Sequence, residues 1–266
     1  MDIKGIIIAV IIIAAVGLFI GIFLGIAAIV FKVFVDPREE EILANLPGNN
    51  CGGCGYPGCS GLAAAIVKGE APVNACSVGG DTVGKAVADI MGVEAANSER
   101  KVAFVKCAGD CEKAKSSYDY TGEEDCSMAM YLPGQGPKTC NFGCHGYGSC
   151  VKACPFDAIE VINNVAVVNK EKCKACGKCV AACPRNLIEL IPYHAKYAVA
   201  CSSKDKGAAT TKACSAGCIG CGLCKKNCEK NAIEVSDFHA TIHYDLCIGC
   251  GECVEKCPKG SIVAHK

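Results

Sequence analysis

Cys218-Ile219-Gly220-Cys221-Gly222-Leu223-Cys224-Lys225-Lys226-Asn227-Cys228 places four thiols within eleven residues, as C-x2-C-x2-C-x3-C. Cys247-Ile248-Gly249-Cys250-Gly251-Glu252-Cys253-Val254-Glu255-Lys256-Cys257 repeats the spacing, with Pro258 after the last cysteine. Runs of this form hold iron-sulfur clusters. Subtracting 74 from each number finds an earlier pair, Cys144, Cys150 and Cys154 with Cys140 upstream, then Cys173, Cys176, Cys179 and Cys183. The copy extends past the thiols, because Ala158-Ile159-Glu160-Val161 recurs as Ala232-Ile233-Glu234-Val235. A whole two-cluster unit has been duplicated, and such repeats are read first because they fix the architecture.

The chain has 25 cysteines among 266 residues. Disulfides suit small secreted chains, but cysteines two residues apart pair poorly, and nearly every cysteine here has such a neighbour. Zinc modules separate two C-x2-C pairs by a longer spacer. Four thiols in eleven residues with proline following, as at Cys154-Pro155, Cys183-Pro184 and Cys257-Pro258, match the bacterial ferredoxin run instead. Thiolate-held clusters need reducing surroundings, which places the cysteine-bearing part on the cytoplasmic side. The formal net charge of zero understates the loaded protein's acidity, since an oxidised 4Fe-4S core with four thiolates carries about two negative charges. Lys172, Lys174, Lys178, Lys225 and Lys226 can offset that charge or simply face solvent.

In ferredoxin runs of this type the fourth cysteine serves the other cluster. In the second unit, that rule groups Cys218, Cys221, Cys224 and Cys257, and separately Cys247, Cys250, Cys253 and Cys228. In the first unit it groups Cys173, Cys176, Cys179 and Cys154, but its partner set is incomplete: the counterpart of Cys221 is Tyr147. Cys144, Cys150 and Cys183 then need a fourth ligand. Cys140 is the expected stand-in, a three-iron or site-differentiated cluster is the alternative, and the adjacent His145 could also ligate. Cys107, Cys111, Cys126, Cys201 and Cys214 remain, enough for a sixth cluster bridging the units or for buried inert thiols; if Cys140 joins them instead, the spacing leaves the ligands of both sites open. About six 4Fe-4S clusters are expected. Gly146-x-Gly148 opens no helix after a strand, so there is no dinucleotide fingerprint, and neither flavin nor NAD is expected on this chain; the residues imply one-electron transfer and no nucleic-acid partner.

Upstream, residues 5–31 hold no charged side chain. As a helix they would extend about 40 Å, against roughly 30 Å of bilayer hydrocarbon, and exceed a secretory signal's apolar core. A single transmembrane helix is expected over 1–35, with Gly17, Gly21 and Gly25 on one face for packing against another helix. A short acidic helix should follow Asp36-Pro37-Arg38. Next comes Asn50-Cys51-Gly52-Gly53-Cys54-Gly55-Tyr56-Pro57-Gly58-Cys59, with Cys76 sixteen residues beyond, a cluster site whose fourth ligand is delayed. Ser60 to Lys68 and Thr82 to Met91 read as helices, and Val102 to Lys106 and Tyr197 to Ala200 as strands that deliver Cys107 and Cys201. The expected fold class is α+β: the transmembrane helix, a small α-rich iron-sulfur domain (36–98), a cysteine-containing connecting segment (99–138), ferredoxin unit 1 (139–192), a connector (193–212) and ferredoxin unit 2 (213–266).

The order of span, Cys51-x2-Cys54-x4-Cys59-x16-Cys76 motif and ferredoxin modules resembles the B subunit of Rnf-type ion-translocating oxidoreductase complexes, in their clostridial or thermophilic anaerobe form. That resemblance covers the whole chain. It implies an electron-transfer subunit of a translocase in the cell inner membrane, which accepts electrons from reduced ferredoxin and relays them to other membrane and peripheral subunits. The complex would couple ferredoxin oxidation and NAD+ reduction to transport of Na+ or H+. Two other roles compete: a membrane-anchored polyferredoxin of a hydrogenase or heterodisulfide-type reductase, and a corrinoid-protein activase, because corrinoid iron-sulfur proteins share the amino-terminal motif.

Overall fold

Asp36 starts the first helix after the apolar run: its carboxylate accepts the Arg38 amide N–H at 2.9 Å and Pro37 takes the first helical position, the arrangement that satisfies otherwise orphaned donors. This helix, α2 (Pro37–Asn45), packs with α3 (Cys59–Val67) and α4 (Gly80–Met91). Ile42, Leu62, Ile66 and Val87 are buried at the centre of the three, each contributing about 1.5–3 kcal/mol by leaving water. The computed structural model describes residues 3–30, 36–94 and 99–265, without the side chains of 3–6, 9, 10 and 28.

The expected transmembrane helix is corrected by the structure. A helix, α1 (Ile3–Val30), does form and its described large side chains from Ile7 to Val30 are exposed. Among the described residues, however, no helix is long and apolar enough to cross a membrane. The end of the sequence run at Phe31 and its flanking Lys32 lie outside the described residues. A Cβ built on Gly17, Gly21 or Gly25 would meet nothing within 4 Å, so among the described residues nothing in this chain packs on that face.

The rest of the chain is built from short strands and short helices. In chain order these are β1 (Lys101–Val105), α5 (Cys126–Ala129), α6 (Ser149–Lys152), β2 (Ile159–Ile162), β3 (Val165–Val168), α7 (Lys178–Ala182) and β4 (Ile188–Pro192). There follow β5 (Tyr197–Val199), α8 (Gly207–Ala213), α9 (Leu223–Lys226), β6 (Ile233–Ser236), β7 (His239–Ile242), α10 (Glu252–Glu255) and β8 (Ile262–Ala264). Four antiparallel pairs result: β1 with β4, β2 with β3, β5 with β8 and β6 with β7. In each copy the strand before the cysteine runs therefore pairs with the strand after them, and a hairpin lies between. β1 belongs to the first unit's sheet although it precedes that unit's first cysteine run, and residues 107–138 form an insertion between β1 and that run.

The β2–β3 hairpin turns through Asn163 and Asn164, with φ of 48° and 64°, and β6–β7 through Asp237 and Phe238, with φ of 45° and 60°. Two left-handed central residues match the twist of the flanking strands. Each turn presses on a glycine of its cluster loop. A Cβ on Gly146 would stand 2.6 Å from the Asn164 carbonyl oxygen, and one on Gly220 2.7 Å from that of Phe238. Only glycine admits that approach, and the two positions are 74 apart, so the copies share this packing.

Candidate metal centres

The two expected quartets of the second unit each line a cavity of about 20 Å3. One is walled by Cys218, Cys221, Cys224 and Cys257, the other by Cys228, Cys247, Cys250 and Cys253. Short helices α9 and α10 present the third cysteine of each run, and the residues after the fourth turn their backbones back onto it. Ala232 N–H donates to Cys228 Sγ and Ser261 N–H to Cys257 Sγ, each at 3.3 Å. Cys221 and Cys250 are exposed, whereas Cys224 and Cys253 are buried.

In the first unit, Ala103 N–H of β1 donates to Cys173 Sγ at 3.4 Å and Ala175 N–H at 3.5 Å. Burial pushes the Cys179 thiol up to about 11, and the neighbouring Cys173, Cys176 and Cys154 push the same way; these four thus lie within each other's field. Beside Cys144, Cys150 and Cys183 the structure places Cys126. Their cavity, again about 20 Å3, is lined by Cys126, Cys144, Cys150 and Cys183, and Cys140 is not among them. Burial raises the Cys150 thiol to about 12, with Cys144, Cys126 and Cys183 adding to the effect.

Cys126 reaches this place because the insertion is anchored there. Asp125 caps α5, accepting from the amides of Ser127 and Met128 at 2.8 and 3.1 Å, and also accepts from Ser149 Oγ of α6 at 3.1 Å. The Cys126 amide donates to that hydroxyl at 3.0 Å. Tyr147 stacks on His145 with ring centroids 5.9 Å apart. His145 also lines the cavity; it is buried, neither ring nitrogen has a hydrogen-bond partner, and burial lowers its pKa to about 4.

A further cavity of about 20 Å3 is lined by Cys107, Cys140, Cys201 and Cys214. Cys111 is exposed and lines none of these cavities. At the amino-terminal motif, Asn50 Oδ1 accepts the Cys59 amide at 2.8 Å, fixing the start of α3, and Gly79 N–H donates to Cys76 Sγ at 3.4 Å. Burial raises the Cys76 thiol, and nearby Cys59 and Cys51 raise it further. Cys51 raises the Cys176 thiol in the same way after burial. The two loops touch: a Cβ on Gly53 would stand 2.5 Å from the Cys176 carbonyl oxygen.

The donor sets fit compact clusters. Buried thiols of raised pKa become thiolates only beside a strongly positive group such as iron, and the amide N–H groups aimed at sulfur stabilise that charge. Cavities of this size suit a small inorganic group and are far below the roughly 300–1,000 Å3 of an organic cofactor site. Among the described residues no three His, Cys, Asp or Glu close around a single ion, as a tetrahedral zinc site with metal-sulfur bonds of about 2.3 Å requires.

Comparison with known proteins agrees with this chemistry. Residues 46–78 match the family described as a putative Fe-S cluster, and 133–184, 172–233 and 217–262 match 4Fe-4S dicluster domains. The chain is 48% identical over 203 residues to the B subunit of the Na(+)-translocating ferredoxin:NAD(+) oxidoreductase complex of Acetobacterium woodii, a match that covers 76% of this chain but 61% of that longer protein. It is 44% identical to the B subunit of the ion-translocating oxidoreductase complex of Methanosarcina acetivorans, over 78% of this chain and 79% of that one. With the B subunit of the proton-translocating ferredoxin:NAD(+) oxidoreductase complex of Clostridium ljungdahlii the identity is 42%, over 76% and 72%. The chain carries several 4Fe-4S clusters.

Proposed function

Because the chain belongs to the B-subunit family of ion-translocating oxidoreductase complexes, we propose that it is the electron-relay subunit of a ferredoxin:NAD+ oxidoreductase coupled to movement of Na+ or H+. An ion-translocating complex works at a membrane, so this subunit is membrane-associated, and the reducing conditions that thiolates need put its cysteine sites on the cytoplasmic side. Its partners are the other subunits of the complex and reduced ferredoxin.

Five ligand sets follow: Cys51, Cys54, Cys59 and Cys76; Cys154, Cys173, Cys176 and Cys179; Cys126, Cys144, Cys150 and Cys183; Cys218, Cys221, Cys224 and Cys257; Cys228, Cys247, Cys250 and Cys253. When bound, 4Fe-4S clusters supply one-electron uptake and release over a wide range of potentials. The protein's part is to bury the thiols, direct amides at them and bring successive sites together. The observation that carries this reading is the contact of Gly53 with Cys176, which joins the amino-terminal site to the first ferredoxin unit. At the other end, Cys221 and Cys250 are exposed, which leaves the second unit's sites open to a one-electron donor. Electrons would enter at the second unit and leave at the amino-terminal site, with hydride chemistry left to a partner subunit.

The test is anaerobic mixing of the full chain with stoichiometric reduced ferredoxin, followed by visible bleaching and EPR. Reduction by ferredoxin but not by NADH is expected. Reduction by NADH alone, with ferredoxin inert, would sink the proposal.

A further inference from the structure

The cavity between the two ferredoxin units collects a cysteine from four separate segments. Cys107 follows β1, Cys201 follows β5, and Cys140 and Cys214 each stand four residues before the first regular cysteine of their own unit. Each copy thus supplies the same two thiols, one from the end of its leading strand and one from the approach to its cluster run. A Cβ on Gly109 would stand 3.2 Å from Cys214 Sγ and 3.7 Å from Cys107 Sγ, so thiols from different copies converge on one glycine.

The segments around them are stitched across the unit boundary. Ala108 N–H donates to the Ala200 carbonyl at 2.9 Å, Lys115 N–H to Ala213 at 2.9 Å and Ser215 N–H to Lys113 at 2.9 Å. Ser202 Oγ donates to the Lys106 carbonyl at 3.0 Å. Amides are aimed at sulfur as in the regular sites: Cys144 N–H lies 3.3 Å from Cys107 Sγ and Ser203 N–H 3.5 Å from Cys201 Sγ. Both neighbouring sites are within one residue's reach, since Cys144 belongs to the first unit's set and the Cys218 thiol lies in the field of Cys201.

We propose that Cys107, Cys140, Cys201 and Cys214 bind a sixth 4Fe-4S cluster, which joins the two ferredoxin units into one uninterrupted series of sites. The proposal rests on the reading of the chain as a cluster carrier and adds to its five sets. It accounts for 24 of the 25 cysteines, leaving only exposed Cys111. Without this site, the first and second units would be separated by a pocket of four unused thiols, two of them buried and two half-buried.

Iron and acid-labile sulfide are measured per full chain purified anaerobically, for the parent, Cys111→Ser and the double variant Cys201→Ser/Cys214→Ser. About 24 iron atoms in the parent and in Cys111→Ser, falling by about four in the double variant, are expected, four per cluster. About 20 in all three overturns the sixth site while leaving the five others standing; little or no iron in the parent overturns the cluster-carrier reading itself. Should the double variant shed more than four irons, EPR of the single variants decides: Cys140→Ser and Cys201→Ser altering the same signal supports the shared site, and altering different signals overturns it.

Discussion

Where the repeat demands a fourth thiol, the first unit draws a cysteine to its cavity from a distant part of the chain. Tyr147 occupies the position where the second copy has Cys221, and Cys126 lines the cavity instead. Cys126→Ser is expected to leave a three-iron centre there, with about one iron lost per chain and a new EPR signal, and adding Tyr147→Cys should restore the cubane; an unchanged spectrum in Cys126→Ser would reject the assignment. Arg185 makes a second case. Its guanidinium donates to the carbonyls of Cys140, Gly143 and Gln135, and it lies in the field of Cys107, Cys140, Cys144 and Cys183. Removing a positive charge favours the oxidised cluster. Arg185→Gln should therefore lower nearby midpoint potentials by tens of millivolts, from about 1 kcal/mol of Coulomb energy, in an EPR-monitored titration, whereas Arg185→Lys should retain most of the potential. The regular quartets follow from local spacing, and in the second unit each lines one cavity. The spacing says nothing of Cys126, which comes to the cavity of Cys144, Cys150 and Cys183, or of Cys140, which lines the pocket between the units.

Short elements carry the fold, and each leans on a neighbour distant in sequence. β1 pairs with β4 in the register Val102 to Ile191, and both of those side chains are fully buried. Ile191→Ala should cost about 2–5 kcal/mol, read as a lowered thermal midpoint of the loaded protein. The expectation of a strand near Val102 to Lys106 and another near Tyr197 to Ala200 matches β1 and β5, because alternating apolar residues announce a strand. Its partner is another matter: pairing is set by packing across 80-odd residues, so the insertion looked like a connector. The loop carrying Gly53 is equally dependent on its neighbour. Gly53→Ala would drive a methyl group into the Cys176 backbone, and in stopped-flow reduction by ferredoxin the amino-terminal site should fill at least several-fold more slowly, with the iron content unchanged.

At the scale of the whole molecule, two kinds of core coexist. The α2–α4 domain has an aliphatic centre in Ile42, Leu62, Ile66 and Val87, whereas the ferredoxin units bury cysteines among small aliphatic side chains in two-stranded sheets. Two-stranded sheets are marginal by themselves, so bound metal contributes folding energy there. Stripping iron with a chelator should make residues 99–265 protease-sensitive and remove their ordered signal by circular dichroism, while the α2–α4 fragment persists; equal resistance of both parts would contradict this. The duplication made the overall plan legible at once, whereas the apolar run before it pointed to a membrane span, and among the described residues no helix is long and apolar enough to cross a membrane.

The shared pocket also bears on how such a chain could have arisen and how it is completed. Each copy contributes two thiols, which is half of a site. A chain of one copy would present that half at its surface, and two such chains would complete one another, so dimerisation around iron could precede gene fusion. In the fused chain the last of the four thiols belongs to the second copy, so this pocket closes only after the ribosome has passed Cys214, later than the first unit's own sites.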